Sequence, residues 1–122
     1  MTFSLSTEQK FVKENSESAM EKNTSIIIDS EKYLVIQDGK AMEFPRKEFE
    51  LLKLLCSSPG KVFSRSFIFE AVWGKSKSNE RTVDVHILNI RKKLGEGLVR
   101  TIKGVGYKIT TEDVKLKDIK TN

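Results

Sequence analysis

The residues whose types and spacing could do chemistry lie between Arg81 and Leu94, and the chemistry they offer is recognition rather than bond-making. Advanced at about 100° per residue, Val83, Ile87, Ile90 and Leu94 fall on one narrow stripe, which must face a core. The opposite face carries Arg81, Val85, Leu88 and Lys92, flanked by Thr82, Asp84 and Asn89, with Arg91 and Lys93 at the margins. These side chains match the major-groove edges of DNA bases. An Asn amide pairs bidentately with adenine, a carboxylate accepts from cytosine N4, and apolar groups pack on thymine methyls. Arg81, Lys92 and Lys93 suit phosphates. A protein–protein contact would use Val85 and Leu88 as anchors instead, so the wheel alone leaves both readings open.

Other chemistries find little support. Cys56 is the one cysteine and His86 the one histidine, which argues against a zinc site, and neither has a partner for nucleophilic or acid–base work close by in sequence. No metal or other cofactor is implied. His86 borders the core stripe, where packing or a phosphate bond is expected. Cys56, with no second cysteine for a disulfide, reads as a small core residue in a reducing, cytoplasmic setting. The glycines of Lys103-Gly104-Val105-Gly106 lack the strand–loop–helix context of a nucleotide site and suit a tight turn. No apolar run approaches the roughly 18–20 residues that span a bilayer. The chain's net charge of +5 is unevenly spread: residues 60–109 hold eleven Lys/Arg against four acids, and the remainder eleven against thirteen. A basic stretch of this kind fits a phosphate-rich partner, because neutralised phosphates release condensed counterions.

The elements that must position these residues can be read in order. Residues 1–22 are polar and read as a linker or loosely held segment. Residues 24–29, 33–37 and 40–44 read as strands, the last two joined by a tight turn at Asp38-Gly39. A helix is expected from Arg46 to Ser57, with Phe49, Leu52, Leu55 and Cys56 inward, stopped by Ser57-Ser58-Pro59-Gly60. After an extended piece at 61–63, Ser64 caps a second helix over about 65–73 that presents Phe67, Ile68, Ala71 and Val72, ending at Gly74. A polar loop, Lys75 to Asn79, leads to a third helix over 80–94. Two strands, 98–102 and 107–110, flank the glycine turn. From 112 to 122 a frayed, Lys-rich tail is expected. The whole is an α+β winged helix-turn-helix: a small N-terminal antiparallel sheet, three helices and a C-terminal β-hairpin wing, occupying residues 23–111.

FPRKEFELLKLLCSSPGKVFSR, EAVWG, ERTVDVHILNIRKKLG and RTIKGVGYKI, in that order and with the expected gaps, resemble the OmpR/PhoB-type effector domain, the winged-helix output domain of two-component response regulators. The resemblance covers residues 24–110. It implies a non-enzymatic, sequence-specific binder of double-stranded DNA that engages tandem half-sites as a head-to-tail dimer. It places Asp84, Val85 and Asn89 at base edges, and Arg81, His86 and Arg91 at backbone phosphates. Lys103 falls at the wing position used in the adjacent minor groove, with Thr101 beside it. Trp73 and the loop of Gly74, Lys75, Ser76, Lys77, Ser78 and Asn79 correspond to a region that meets the DNA backbone and, in some members, RNA polymerase. A receiver domain and a sensor kinase would act upstream in a longer protein; the receiver is not in this chain, which reads either as an effector fragment, with residues 1–22 as an interdomain linker, or as a stand-alone regulator. A winged helix that binds protein and not DNA is the competing expectation. The sequence departs from the family at Leu88 and Asn89, where Arg or Lys is common, so half-sites rich in A and T are expected.

Overall fold

In the computed structural model, residues 24–74 and 79–117 are described. Strands β1 (Ile26–Asp29), β2 (Leu34–Gln37) and β3 (Lys40–Glu43) form an antiparallel meander. The turn between β2 and β3 needs positive φ at both central residues, and Asp38 (51°) and Gly39 (85°) supply it. Helix α1 (Arg46–Cys56), the short strand β4 (Phe63–Ser64), helix α2 (Arg65–Trp73) and helix α3 (Glu80–Leu94) follow. Strands β5 (Val99–Ile102) and β6 (Gly106–Ile109) make the wing hairpin, and β4 pairs with β6 to complete a second sheet ordered β4-β6-β5. The three helices and two sheets close on one core that includes Ile26, Ile28, Phe49, Leu52, Ile68, Ile87, Ile90 and Ile109. This is the α+β winged-helix architecture.

Each helix has a local cause. Ser64 Oγ accepts from the Phe67 N–H (3.1 Å), which satisfies one of the orphan donors at the start of α2. Gly74 (φ 96°) and Gly95 (φ 98°) end α2 and α3 with left-handed backbone that a side chain would oppose. In α1, Phe49, Leu52, Leu55 and Cys56 are buried as expected, together with Leu51 and Glu48. Burial pushes the Cys56 thiol up to about 12, so it stays protonated and packs as an apolar group.

Two expectations change. In α2, Phe67 is about half exposed and Ala71 is exposed, while Phe69 takes the inward place beside Ile68 and Val72. The sequence RSFIFEAVW is apolar on several faces, so its period does not choose a side. The second correction concerns the tail: Val114–Lys117 is a strand, β7, which pairs in parallel with β1 in the register Ile26↔Val114 to Asp29↔Lys117. It completes a sheet ordered β3-β2-β1-β7. Without β7 that edge of β1 would present unpaired N–H and C=O groups. Thr111 Oγ1 donates to the Thr24 carbonyl (2.7 Å), and Lys117 Nζ lies 4.0 Å from the Asp29 carboxylate.

Candidate nucleic-acid interface

Helix α3 lies with its predicted stripe inward. Val83, Ile87 and Ile90 are fully buried and Leu94 nearly so, whereas Val85 and Leu88 are each 50% exposed. Burial of each inward aliphatic side chain contributes about 1.5–3 kcal/mol, which fixes the rotation of the helix. Arg81 and Lys92 are exposed on the outward side. The C-terminal end is held against the first sheet: Gln37 Nε2 donates to the Leu94 carbonyl (2.8 Å), and Lys93 Nζ donates to the Glu43 carbonyl (2.7 Å). The Lys93 ammonium also sits 4.5 Å from the Phe44 ring centroid. Lys93, expected at a phosphate, thus packs back onto the domain.

The N-terminal end is held by charge. Arg65, at the start of α2, grips Asp84 through Nε (3.0 Å) and Nη2 (2.7 Å), and the Tyr107 hydroxyl donates to the same carboxylate (2.6 Å). Arg65 also lies 3.3 Å from Glu80. One carboxylate on α3 therefore joins α2 to the wing. Burial works to raise the Asp84 pKa, but the bonds from Tyr107 and Arg65 outweigh it and leave the carboxyl below its ordinary value. Burial, with the bond to Asp84, pushes the Tyr107 phenol up to about 12.

Two residues expected to read bases therefore have partners inside the domain. Asp84 is occupied as described. Asn89, half-buried, donates from Nδ2 to Oε2 of Glu48 (3.0 Å), a carboxylate only 5% exposed on α1. Both side chains orient α3 in this structure, Asp84 through three bonds and Asn89 through one of its amide hydrogens. The partners Arg65, Tyr107 and Glu48 were not singled out from sequence. They lie 19, 23 and 41 residues from the groups they hold, and no local pattern links them.

The expected backbone-contacting residues also divide. Arg91 donates from Nε (3.1 Å) and Nη2 (2.9 Å) to the Val99 carbonyl, and from Nη2 to Thr101 Oγ1 (2.8 Å). Arg91 and Thr101 thus fasten α3 to β5. Lys103 is exposed at the wing turn, where Gly104 has φ 78°. Lys103, Arg65, Asp84 and Tyr107 help line a cleft of about 420 Å³ between the wing and the start of α3. At Gly106 a Cβ would stand 1.9 Å from the Phe63 carbonyl oxygen, so only glycine lets β4 and β6 approach. His86 Nδ1 lies 2.9 Å from the Thr82 carbonyl, which can only accept, so that nitrogen carries the proton. The imidazole stands edge-on to Trp73 (centroids 4.9 Å), and Trp73 stacks on Phe69 (5.2 Å). Thr82 is half-buried, and Gly74 and Asn79, which follow α2 and precede α3, are exposed. Lys75, Ser76, Lys77 and Ser78, expected at a polymerase contact, lie outside the described residues. Among the described residues no group of side chains could hold a metal ion, and no helix is long and apolar enough to cross a membrane.

Residues 39–109, more than half of the chain, match the family described as transcriptional regulatory protein, C terminal. The chain belongs to that family. It is an effector domain of the OmpR/PhoB type, the DNA-binding output module of response regulators, and not an enzyme. The domain is 44% identical over 86 residues to the heme response regulator HssR of Staphylococcus saprophyticus, a match covering 66% of this chain and 38% of that protein. The corresponding protein of Staphylococcus aureus strain Newman is 43% identical over the same length. The chain spans about two fifths of the length of these curated relatives. Among solved structures, the DNA-binding domain of Bacillus subtilis CssR aligns with a TM-score of 0.63 at 31% identity, covering 70% of this chain and 99% of that one. The DNA-binding domain of the response regulator AdeR, solved in complex with an intercistronic region, aligns with a TM-score of 0.64 at 28% identity, covering 74% of this chain and 96% of that one.

Proposed function

We propose that this effector domain binds tandem half-sites in double-stranded DNA, with the outward face of α3 in the major groove and the wing on the adjacent backbone and minor groove. The carrying observation is the composition of that face: half-exposed Val85 and Leu88, with exposed Arg81 and Lys92 on the same side and exposed Lys103 on the wing. A plain solvent-facing helix has no use for two large apolar side chains among its cations, whereas a groove-bound helix has a use for both kinds. Arg81, Lys92 and Lys103 supply phosphate contacts. His86, Thr82 and Thr101 border the same surface, and Arg91 acts chiefly by holding α3 against β5. Asp84 and Asn89 orient the helix from the positions where base contacts were expected.

In this reading the domain is the output part of a cytoplasmic two-component regulator. A sensor kinase phosphorylates a receiver domain upstream, and the surface around Trp73, Gly74 and Asn79 meets RNA polymerase. Titrating duplexes selected from a random pool against salt tests the DNA-binding step. Affinity should fall steeply, with a log–log slope near −0.9 per phosphate neutralised. Lys103→Ala should weaken binding to most duplexes alike and flatten that slope by about one. Undetectable duplex affinity at low salt would instead make the domain a protein-interaction winged helix.

A further inference from the structure

We propose that this domain reads its half-site chiefly through the C5 methyl groups of pyrimidines, with Val85 and Leu88 as the specificity-determining pair. The inference rests on the DNA-binding reading above and deepens it. Four side chains near the centre of the outward face could contact bases: Asp84, Val85, Leu88 and Asn89. The structure ties both hydrogen-bonding ones to partners inside the domain. Asp84 receives both Arg65 donors and the Tyr107 hydroxyl, all within 3.0 Å. Asn89 gives an amide hydrogen to Glu48, a carboxylate 5% exposed that would lose this donor if Asn89 turned to a base. Freeing either group strands a buried or charged partner, and that penalty cancels much of what a base contact would return.

Val85 and Leu88 carry no such ties, and each keeps 50% of its surface open. They are three residues apart on α3, so their side chains are neighbours about 5–6 Å apart at Cβ. A pair of adjacent branched aliphatic groups in the major groove has one sequence-specific partner, the methyl at pyrimidine C5. The hydrogen-bonding edge of the base then matters less than whether the methyl is there. Thymine and 5-methylcytosine should both be accepted at a contacted position, and uracil and cytosine should both be disfavoured.

The test uses the full chain and duplexes recovered from a random pool, with each thymine of the half-site replaced in turn by uracil. Uracil keeps every hydrogen-bonding group and loses only the methyl. Each contacted methyl should contribute about fourfold in affinity and two together about fifteenfold, the value of roughly one buried carbon per contact. Where a thymine–adenine pair is exchanged for cytosine–guanine, 5-methylcytosine should recover part of the loss that plain cytosine leaves. In Val85→Ala and Leu88→Ala, each penalty should shrink at the position that side chain covers. Uracil tolerated within about twofold at every position, with affinity still steeply salt-dependent, would overturn methyl reading and leave DNA binding standing. So would Asn89→Ala abolishing preference for one adenine while uracil is tolerated throughout. Failure to bind any duplex at low salt would remove the DNA-binding reading and this one together.

Discussion

The two ends of α3 are held by different physics. At its start, a charged cluster does the work: Asp84 draws Arg65 from α2 and Tyr107 from the wing onto one carboxylate that is itself about a third exposed. At its end, backbone carbonyls do it: Leu94 accepts from Gln37 and Glu43 accepts from Lys93. The first arrangement depends on an ionised acid and a neutral phenol. The second depends on groups that accept at any ordinary pH. The wing, which must follow the helix into contact with a partner, is thus fixed at its Tyr107 side by titratable groups, while the Gln37–Leu94 bond to the first sheet joins an amide to a carbonyl, neither of which titrates.

The largest way to break the charged end is steric. Gly106→Ala would place a Cβ against the Phe63 carbonyl at 1.9 Å, pushing β4 from β6 and carrying Tyr107 away from Asp84. A loss of about 3 kcal/mol in urea unfolding is expected, at the upper end for overpacking because the clash is with backbone. A loss under 0.5 kcal/mol, in the range of ordinary surface changes, would mean that the strands part easily and that the wing is not fixed there.

Tyr107→Phe is smaller and cleaner. It keeps the buried ring, which lies 5.7 Å from the Arg91 guanidinium, and removes only the hydroxyl on Asp84. About 1–1.5 kcal/mol of stability should go. The pH profile sharpens the point. The phenol's pKa is raised from about 10 to about 12 in the folded state, so its contribution is complete below pH 10 and is lost as pH climbs toward 12. The variant should lose the tyrosine part of that alkaline decline. Asp84 runs the other way: its pKa is depressed, so its contribution is present above the ordinary carboxylate range and is lost as pH falls through and below it. Asp84→Asn should flatten the acid side of the profile in thermal melts. An unchanged acid limb would show that the cluster does not report on folding.

Gln37→Leu tests the other end. It should cost about 1 kcal/mol by leaving the Leu94 carbonyl to water, with the same loss at pH 5, 7 and 9. A loss that varied with pH would erase the distinction between the two ends.

The contrast also explains what could be read before the structure. The bounds of α3 and its buried stripe were legible because fifteen residues give several repeats of a 3.6-residue period. The Asp38-Gly39 turn and the Ser64 cap were legible because their chemistry is local. The bounds of the short α2 were legible too, but its inward face was not, since nine residues with Phe67, Ile68 and Phe69 in succession define no single face. Nor was β7: VKLK is too short and too Lys-rich to announce a strand, and its partner β1 lies nearly ninety residues earlier in the chain. Asp84 and Asn89 looked like base readers because a helical wheel reports direction only. Whether an outward polar group is already spoken for depends on residues far off in sequence, and Arg65, Tyr107 and Glu48 are all of that kind.

The smallest expected effect lies between the two ends, and it separates the purpose of the outer face from that of the rest. Leu88→Ala removes an aliphatic group that is half in water and has neither Asp84's partners nor the burial of Ile87 beside it. Alanine also has the higher helix propensity, by about 0.2 kcal/mol, so the lost partial packing is partly offset. The net change in unfolding free energy should stay within about 0.5 kcal/mol, against the 2–5 kcal/mol expected for Ile87→Ala one residue away. If Leu88→Ala cost as much as Ile87→Ala, the residue would be part of the core. A nearly silent change in stability, paired with altered duplex preference, is what a side chain kept for contact with another molecule should give.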